Sequence, residues 1–311
     1  MAFQHISVLL NESLKFMDPR PGEIFVDGTL GGAGHSLAFL GNLLPGGTLI
    51  GIDQDLTALK NAEEKLKEYK ENVILVHDNF QNIGEIINSR FPEGVDGIFL
   101  DIGVSSPQID TPERGFSYMH DAPLDMRMNQ EEKTDAKYII NNYSLDELHR
   151  IIKKYGEENW AKRIAEFIVE KRKEKQIETT GELVKIIEAA IPKAAREKGS
   201  HPAKRTFQAL RIEVNKELEV LEKVIDDSVK VLKSGGRLGI ITFHSLEDRI
   251  VKDKFNYFEK DCICPSEFPI CNCDKKREVK ILTKKPVVPS EEETSHNPRA
   301  KSAKLRVLKK I

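Results

Sequence analysis

The ten residues Val26-Asp27-Gly28-Thr29-Leu30-Gly31-Gly32-Ala33-Gly34-His35 decide how the rest of the chain is read. An apolar run precedes them and an amphipathic one follows, which places them in a loop between a strand and a helix. Four glycines in this stretch let the backbone approach a ligand closely and reach conformations with positive φ. A plain turn needs only one or two. The spacing does not match G-x-G-x-x-G, which aims a helix N-terminus at a pyrophosphate. The loop also begins with Asp27, whose carboxylate would repel a pyrophosphate but suits the ammonium and sulfonium groups of S-adenosylmethionine. The expected ligand is therefore a cationic nucleotide cofactor.

Outward from this loop, short β-branched runs alternate with amphipathic stretches. Strands are expected at 23–27, 48–53, 73–77 and 95–101, with helices near 34–44, 56–69 and 80–89. The strands are nearly continuous apolar runs, as in a parallel sheet buried on both faces. From about 107 to 211 no strong strand pattern occurs. Ser144-Leu-Asp-Glu147 reads as a capping box and Thr180-Gly-Glu-Leu183 opens another helical run, so this region reads as a helical insertion. A single long helix over 212–233, a strand at 237–243, a helix started by Ser245 and two terminal strands at 279–283 and 304–308 complete the pattern. The expected architecture is an α/β domain of residues 1–106 and 212–311, interrupted by a helical domain of 107–211.

In open α/β sheets, ligands meet the residues just past the C-terminal strand ends. Asp53 ends the second strand, 26 residues beyond Asp27, close to where an acid grips ribose hydroxyls in nucleotide folds. A solvent-facing Asp is the plainer alternative. His77-Asp78-Asn79-Phe80 ends the third strand, where polar groups can meet an adenine edge and Phe80 either its face or a helix staple. The fourth ends in Asp101-Ile-Gly-Val-Ser-Ser-Pro-Gln108, a polar loop where a helix would normally begin. Asp101 is the candidate hydrogen-bond acceptor for a weakly nucleophilic base amine, with Gln108 nearby for cofactor or base.

The 311 residues, 39% hydrophobic and 32% charged, are those of a globular protein, and no stretch approaches the roughly 20 apolar residues of a spanning helix. The N-terminus has no signal-peptide pattern, so a cytoplasmic protein with no membrane association is expected. The net charge of -2 hides an asymmetry: residues 275–311 carry +8 and the remainder -10. A basic tail is either an anion footprint or a solvated terminus. All four cysteines lie in Cys262-Ile-Cys264-Pro and Cys271-Asn-Cys273, which excludes a chain-wide disulfide framework. Zinc is one reading of this tight C-x-C pairing, and free structural thiols are the other.

Several ordered motifs carry a family resemblance. Asp27-Gly-Thr-Leu-Gly-Gly-Ala-Gly-His35, Asp101-Ile-Gly-Val-Ser-Ser-Pro-Gln108, Glu113-Arg-Gly-Phe116, Pro123-Leu-Asp-Met-Arg127, Arg205-Thr-Phe-Gln208, Phe243-His-Ser-Leu-Glu-Asp-Arg249 and Asn297-Pro-Arg-Ala300 resemble the MraW (RsmH) family of 16S ribosomal RNA cytosine-N4 methyltransferases. The likeness runs from His5 nearly to the C-terminus. It implies a class I, Rossmann-like S-adenosylmethionine-dependent methyltransferase sheet with an inserted helical domain. It also implies N4-methylation of a cytidine at the decoding centre of 16S ribosomal RNA, in the bacterial cytoplasm. Carried over motif by motif, the cofactor contacts are Ala33, Gly34, His35, Asp53, Phe80, Asp101 and Gln108. The cysteine cluster is not part of that pattern.

Residues 193–211 hold six basic residues against one acid, interleaved with Phe207, a composition suited to RNA backbone and an unstacked base. Arg205 and Arg211 are the candidates here, with His244 and Arg299 elsewhere. The segment from Asn297 to Arg306 alternates basic and apolar residues, as would an edge strand presenting charge outward. RNA affinity should then fall steeply as salt rises, measurable by filter binding. His244 and Ser245 are read as substrate-positioning groups or an N-cap, since neighbouring residues cannot easily pair as base and nucleophile. Two rivals stay open: a nicotinamide oxidoreductase, and a non-catalytic RNA-binding factor.

Overall fold

In the computed structural model the described residues are 7–196, 201–265 and 270–311. His5, where the family likeness begins, and 197–200, inside the basic stretch 193–211, lie outside them. The chain divides into two compact units, Met1–Gly103 with Leu218–Ile311, and Val104–Glu217.

In chain order the elements are α1 (Leu10–Met17), β1 (Ile24–Asp27), α2 (Gly34–Leu43), β2 (Thr48–Asp53), α3 (Leu56–Lys65), β3 (Val73–His77), α4 (Ile83–Arg90) and β4 (Val95–Asp101). Then come α5 (Ser106–Asp110), α6 (Ala136–Asn142), α7 (Leu145–Gly156), α8 (Ala161–Glu174), α9 (Thr180–Ala190), α10 (Lys193–Arg196) and α11 (Lys204–Asn215). The last group is α12 (Glu217–Val231), β5 (Leu232–Thr242), α13 (Ser245–Glu259), β6 (Val279–Ile281), α14 (Glu291–His296) and β7 (Lys304–Lys310). Among the described residues no helix is long and apolar enough to cross a membrane.

The first unit is built on one seven-stranded sheet of order β3-β2-β1-β4-β5-β7-β6. Strands β1 to β5 run parallel, and β7 is antiparallel to both β5 and β6. This is the Rossmann-like α/β fold that the sequence predicts, with the order reversing between β1 and β4. The parallel registers Asp27↔Gly51, Asp53↔His77 and Asp101↔Ile241 bring the loops after β1, β2, β3 and β4 to one edge.

Successive strand residues point to opposite faces, and both faces here are apolar. Val26, Ile50, Ile98, Leu100 and Ile240 pack with Ile83 and Ile87 of α4, Leu221 and Ile225 of α12 and Phe255 of α13. Phe25, Leu49, Phe99, Ile241 and Val307 pack on the other side with Met17 of α1 and Phe39, Leu40 and Leu43 of α2. Each such side chain, fully buried, contributes about 1.5–3 kcal/mol relative to exposure. Together the two layers hold the strand ends still.

The second unit is helical. Ser144 caps α7 and Thr179 caps α9, each in a capping box with Glu147 or Glu182 at the third helical position. Leu148, Ile151 and Ile152 of α7 line one stripe, as their i, i+3, i+4 spacing requires.

Three expectations change. The long helix expected over 212–233 is two helices, because Lys216 adopts a left-handed conformation (φ 51°) between α11 and α12. The strand expected at 237–243 begins earlier, at Leu232. The C-terminal strand β7 is not an edge: it lies between β5 and β6. Arg306 does not face outward either: its side chain is buried, and its Nε donates to half-buried Asp248 Oδ1 at 2.6 Å, with Lys304 joining at 3.1 Å.

Candidate cofactor and acceptor site

The glycine loop is stitched to the sheet by its own polar groups. Asp27, only 1% exposed, accepts hydrogen bonds from Thr29 N (3.1 Å) and from the Ser36 hydroxyl in the first turn of α2 (2.6 Å). Burial raises its carboxyl above the usual range against the lowering effect of those bonds. Both its oxygens thus shape the loop. Thr29 Oγ1 accepts from Asp101 N at 2.6 Å, tying the loop to the end of β4. Gly28 N donates to Phe99 O at 2.9 Å, and a Cβ on Gly28 would run into the Leu100 side chain. Gly31 (φ 45°) and Ala33 (φ 55°) take left-handed conformations, and Ala33 is the N-cap of α2.

Asp53 ends β2. Its carboxylate accepts from Gly31 N (3.0 Å) and Asp55 N (2.9 Å), so it crosses from its own strand to the neighbouring loop. Burial lifts its pKa to about 6, against the lowering effect of those bonds, and the charges of Asp55 and Asp27 add to the rise. Past β3, Asn79 caps the turn at Phe80–Asn82 and its amide donates to Gln54 Oε1 at 2.8 Å. Phe80 is half-buried, with its Cβ 3.4 Å from where a Cβ on Gly28 would stand. Phe80 thus borders the loop and also packs against the core beneath.

Asp101 ends β4 with its side chain 25% exposed. Its Oδ1 is buried and has no hydrogen-bond partner among the described residues, while Oδ2 stands 3.8 Å from His35 Nδ1. Burial pushes its pKa to about 8, with the negative charges of Asp27 and Glu247 adding to the rise. The His35 ring is buried beside Phe99 (centroids 4.7 Å apart), with Nε2 2.9 Å from Val8 O. An orphaned carboxylate oxygen at a strand end is costly unless something arrives to use it.

These strand ends fit a cation better than an anion. A pyrophosphate would add negative charge beside carboxyls already forced upward, whereas an ammonium or sulfonium would relieve them. The residue set therefore suits S-adenosylmethionine and speaks against a nicotinamide dinucleotide.

The remaining predicted residues take several positions. His244, 9% exposed, is the N-cap of α13 where Ser245 was also expected: its Nδ1 accepts from Glu247 N, and its Nε2 lies 3.0 Å from Glu247 Oε1. Arg299 is exposed on a short helical turn, Pro298–Ser302. In the second unit, Gln108 is buried in a capping box in which its Oε1 accepts from Ser105 N at 3.1 Å. There Arg205 is half exposed, whereas Arg211 is 18% exposed and bonds Glu217 through both Nε and Nη2 at 2.8 Å. The four cysteines lie together in the first unit.

Three groups at the first unit's site escaped sequence reading. Thr29 and Ser36 complete the loop's hydrogen bonding, and buried Glu247 adds charge to the surroundings of Asp101. A hydroxyl two residues after Asp27 and another in the next helical turn were the available signals for the first two. Glu247 carried its signal as the third helical residue of a capping box.

A family model described as the MraW methylase family matches residues 2–311. Curated relatives named "Ribosomal RNA small subunit methyltransferase H" align over all of this chain and all of their own length. The one from Clostridioides difficile (strain 630) is 56% identical over 311 residues, that from Clostridium botulinum (strain 657 / Type Ba4) 59% over 311, and that from Acetivibrio thermocellus 58% over 313.

Proposed function

The chain belongs to the MraW methylase family, and from that premise we propose that it methylates the N4 amine of a cytidine in the decoding region of bacterial 16S ribosomal RNA, with S-adenosylmethionine as donor. The observation that carries this reading is the end-to-end match, at 56–59% identity, to relatives named for methylation of small-subunit ribosomal RNA. The acidic, glycine-lined strand ends supply suitable chemistry. The substrate is taken to be 16S ribosomal RNA within the small ribosomal subunit, and the place of action the cytoplasm.

When bound, the donor supplies an electrophilic methyl group on a sulfonium. Around it, the Ala33-Gly34-His35 backbone lines the loop, Asp53 binds ribose hydroxyls in exchange for backbone N–H groups, and Phe80 covers the adenine face. A cytosine amine is a poor nucleophile because its lone pair is delocalised into the ring. Asp101 Oδ1 accepts a hydrogen bond from that amine, favours its pyramidal form and holds the departing proton. Gln108 serves cofactor or base. The helical unit, with Arg205 and Arg211, recognises substrate, and His244 and Arg299 add to the RNA-binding set. The cytosine must leave its stack to be reached.

Incubation with undermethylated small subunits and labelled donor, followed by nucleoside mass analysis, tests the reading. Label in N4-methylcytidine is the expected result. Label on a different atom or base, or none on either subunits or naked RNA, overturns it.

A further inference from the structure

The segment 261–278, between α13 and β6, has no buried residue and no helix or strand among its described residues. Its described residues bury no apolar side chain, so another kind of cross-link is needed to order them. At its base, Arg277 bonds Asp261 (2.9 Å) and Glu259 O (3.0 Å), and Lys275 bonds Glu278 (2.7 Å) while lying over the Tyr257 ring (4.9 Å).

The tip carries all four cysteines as free thiols. They form two C-x-C pairs, Cys262 with Cys264 and Cys271 with Cys273. The two pairs meet. Sγ separations are 3.4 Å for Cys262 to Cys271, 3.5 Å for Cys271 to Cys273, 3.7 Å for Cys273 to Cys262 and 4.0 Å for Cys264 to Cys271, and all four sulfurs lie within 4.8 Å of one another. A tetrahedral zinc with Zn–S bonds of about 2.3 Å places its sulfurs about 3.8 Å apart, inside that range.

Backbone N–H groups also point at the sulfurs. Cys264 N donates to Cys262 Sγ (3.3 Å), Ile263 N to Cys273 Sγ (3.4 Å) and Asn272 N to Cys264 Sγ (3.4 Å). Such donors stabilise thiolates and orient them around a metal.

We infer that Cys262, Cys264, Cys271 and Cys273 bind one zinc ion in a closed tetrathiolate site that orders the 261–278 excursion. With four sulfur ligands there is no open position for water, so the site is structural and takes no part in methyl transfer. The inference is independent of the substrate proposed above.

The full chain, purified under reducing conditions without added metal, should contain about one zinc per molecule by mass spectrometry of metals. Titrating its thiols with a mercurial should release that zinc in step with modification of four cysteines. Cobalt substitution should give intense visible d–d bands and thiolate charge-transfer bands. Cys262→Ser and Cys271→Ser should each lose most of the metal, raise hydrogen exchange across 261–278 and keep the binding of S-adenosylhomocysteine. Two disulfides, four metal-free thiols, or iron in place of zinc in the wild-type chain would overturn the inference, even if the serine variants fail to fold.

Discussion

Replacing Asp101 by alanine is expected to lower turnover about 10²–10⁴-fold, the usual loss when a positioned proton acceptor is removed, while RNA affinity stays within a few-fold. The expectation rests on Oδ1, buried without a partner among the described residues, and on a carboxyl lifted to about 8 by burial and by the charges of Asp27 and Glu247. Below that pH the group is protonated and cannot take the amine proton. Activity at subsaturating substrate should therefore rise about tenfold per pH unit and level off near pH 8. A bound sulfonium stabilises the carboxylate, so the inflection for the donor complex should lie lower. Glu247→Gln removes one of the raising charges and should move the inflection down too, whereas Asp101→Asn should abolish it. Single-turnover methylation across pH, alongside RNA filter binding, makes the check. Equal losses of turnover and RNA affinity in Asp101→Ala would rule out the acceptor role.

Asp27→Ala should weaken the fold and the cofactor loop together. The substitution strands Thr29 N and the Ser36 hydroxyl, each costing about 1–3 kcal/mol when left buried without an acceptor. At about 2–4 °C per kcal/mol, Tm should fall by roughly 4–24 °C. Affinity for S-adenosylhomocysteine should drop as well, because Thr29 also holds the end of β4 through Asp101 N. Asp27→Asn keeps an acceptor oxygen and the same shape, so it should lose far less of both. Thermal melts and calorimetric titration of the two variants separate a structural Asp27 from one that touches the ligand: if Asn is as damaging to binding as Ala with Tm unchanged, Asp27 meets the ligand directly.

Local pattern was enough for much of the sheet. Strands β2, β3 and β4 end where their apolar runs end, at Asp53, His77 and Asp101. The long helix expected over 212–233 failed for a local reason of another kind. A single left-handed residue at Lys216 redirects the chain without changing composition, so helical periodicity runs across the break unnoticed. Arg306 failed for a long-range reason: alternating charge cannot reveal that Asp248, 58 positions away, folds over it.

By itself the sequence determined the succession of the seven strands, the glycine loop between β1 and α2, and the family, since these depend on residue type and spacing along one chain. Tertiary structure alone decided what each carboxylate does. Asp27 and Asp101 look alike in a sequence, yet one is satisfied by Thr29 and Ser36 while the other keeps an oxygen with no partner among the described residues. Their difference comes from desolvation and from neighbours distant in the chain, which exist only once the strands stand side by side.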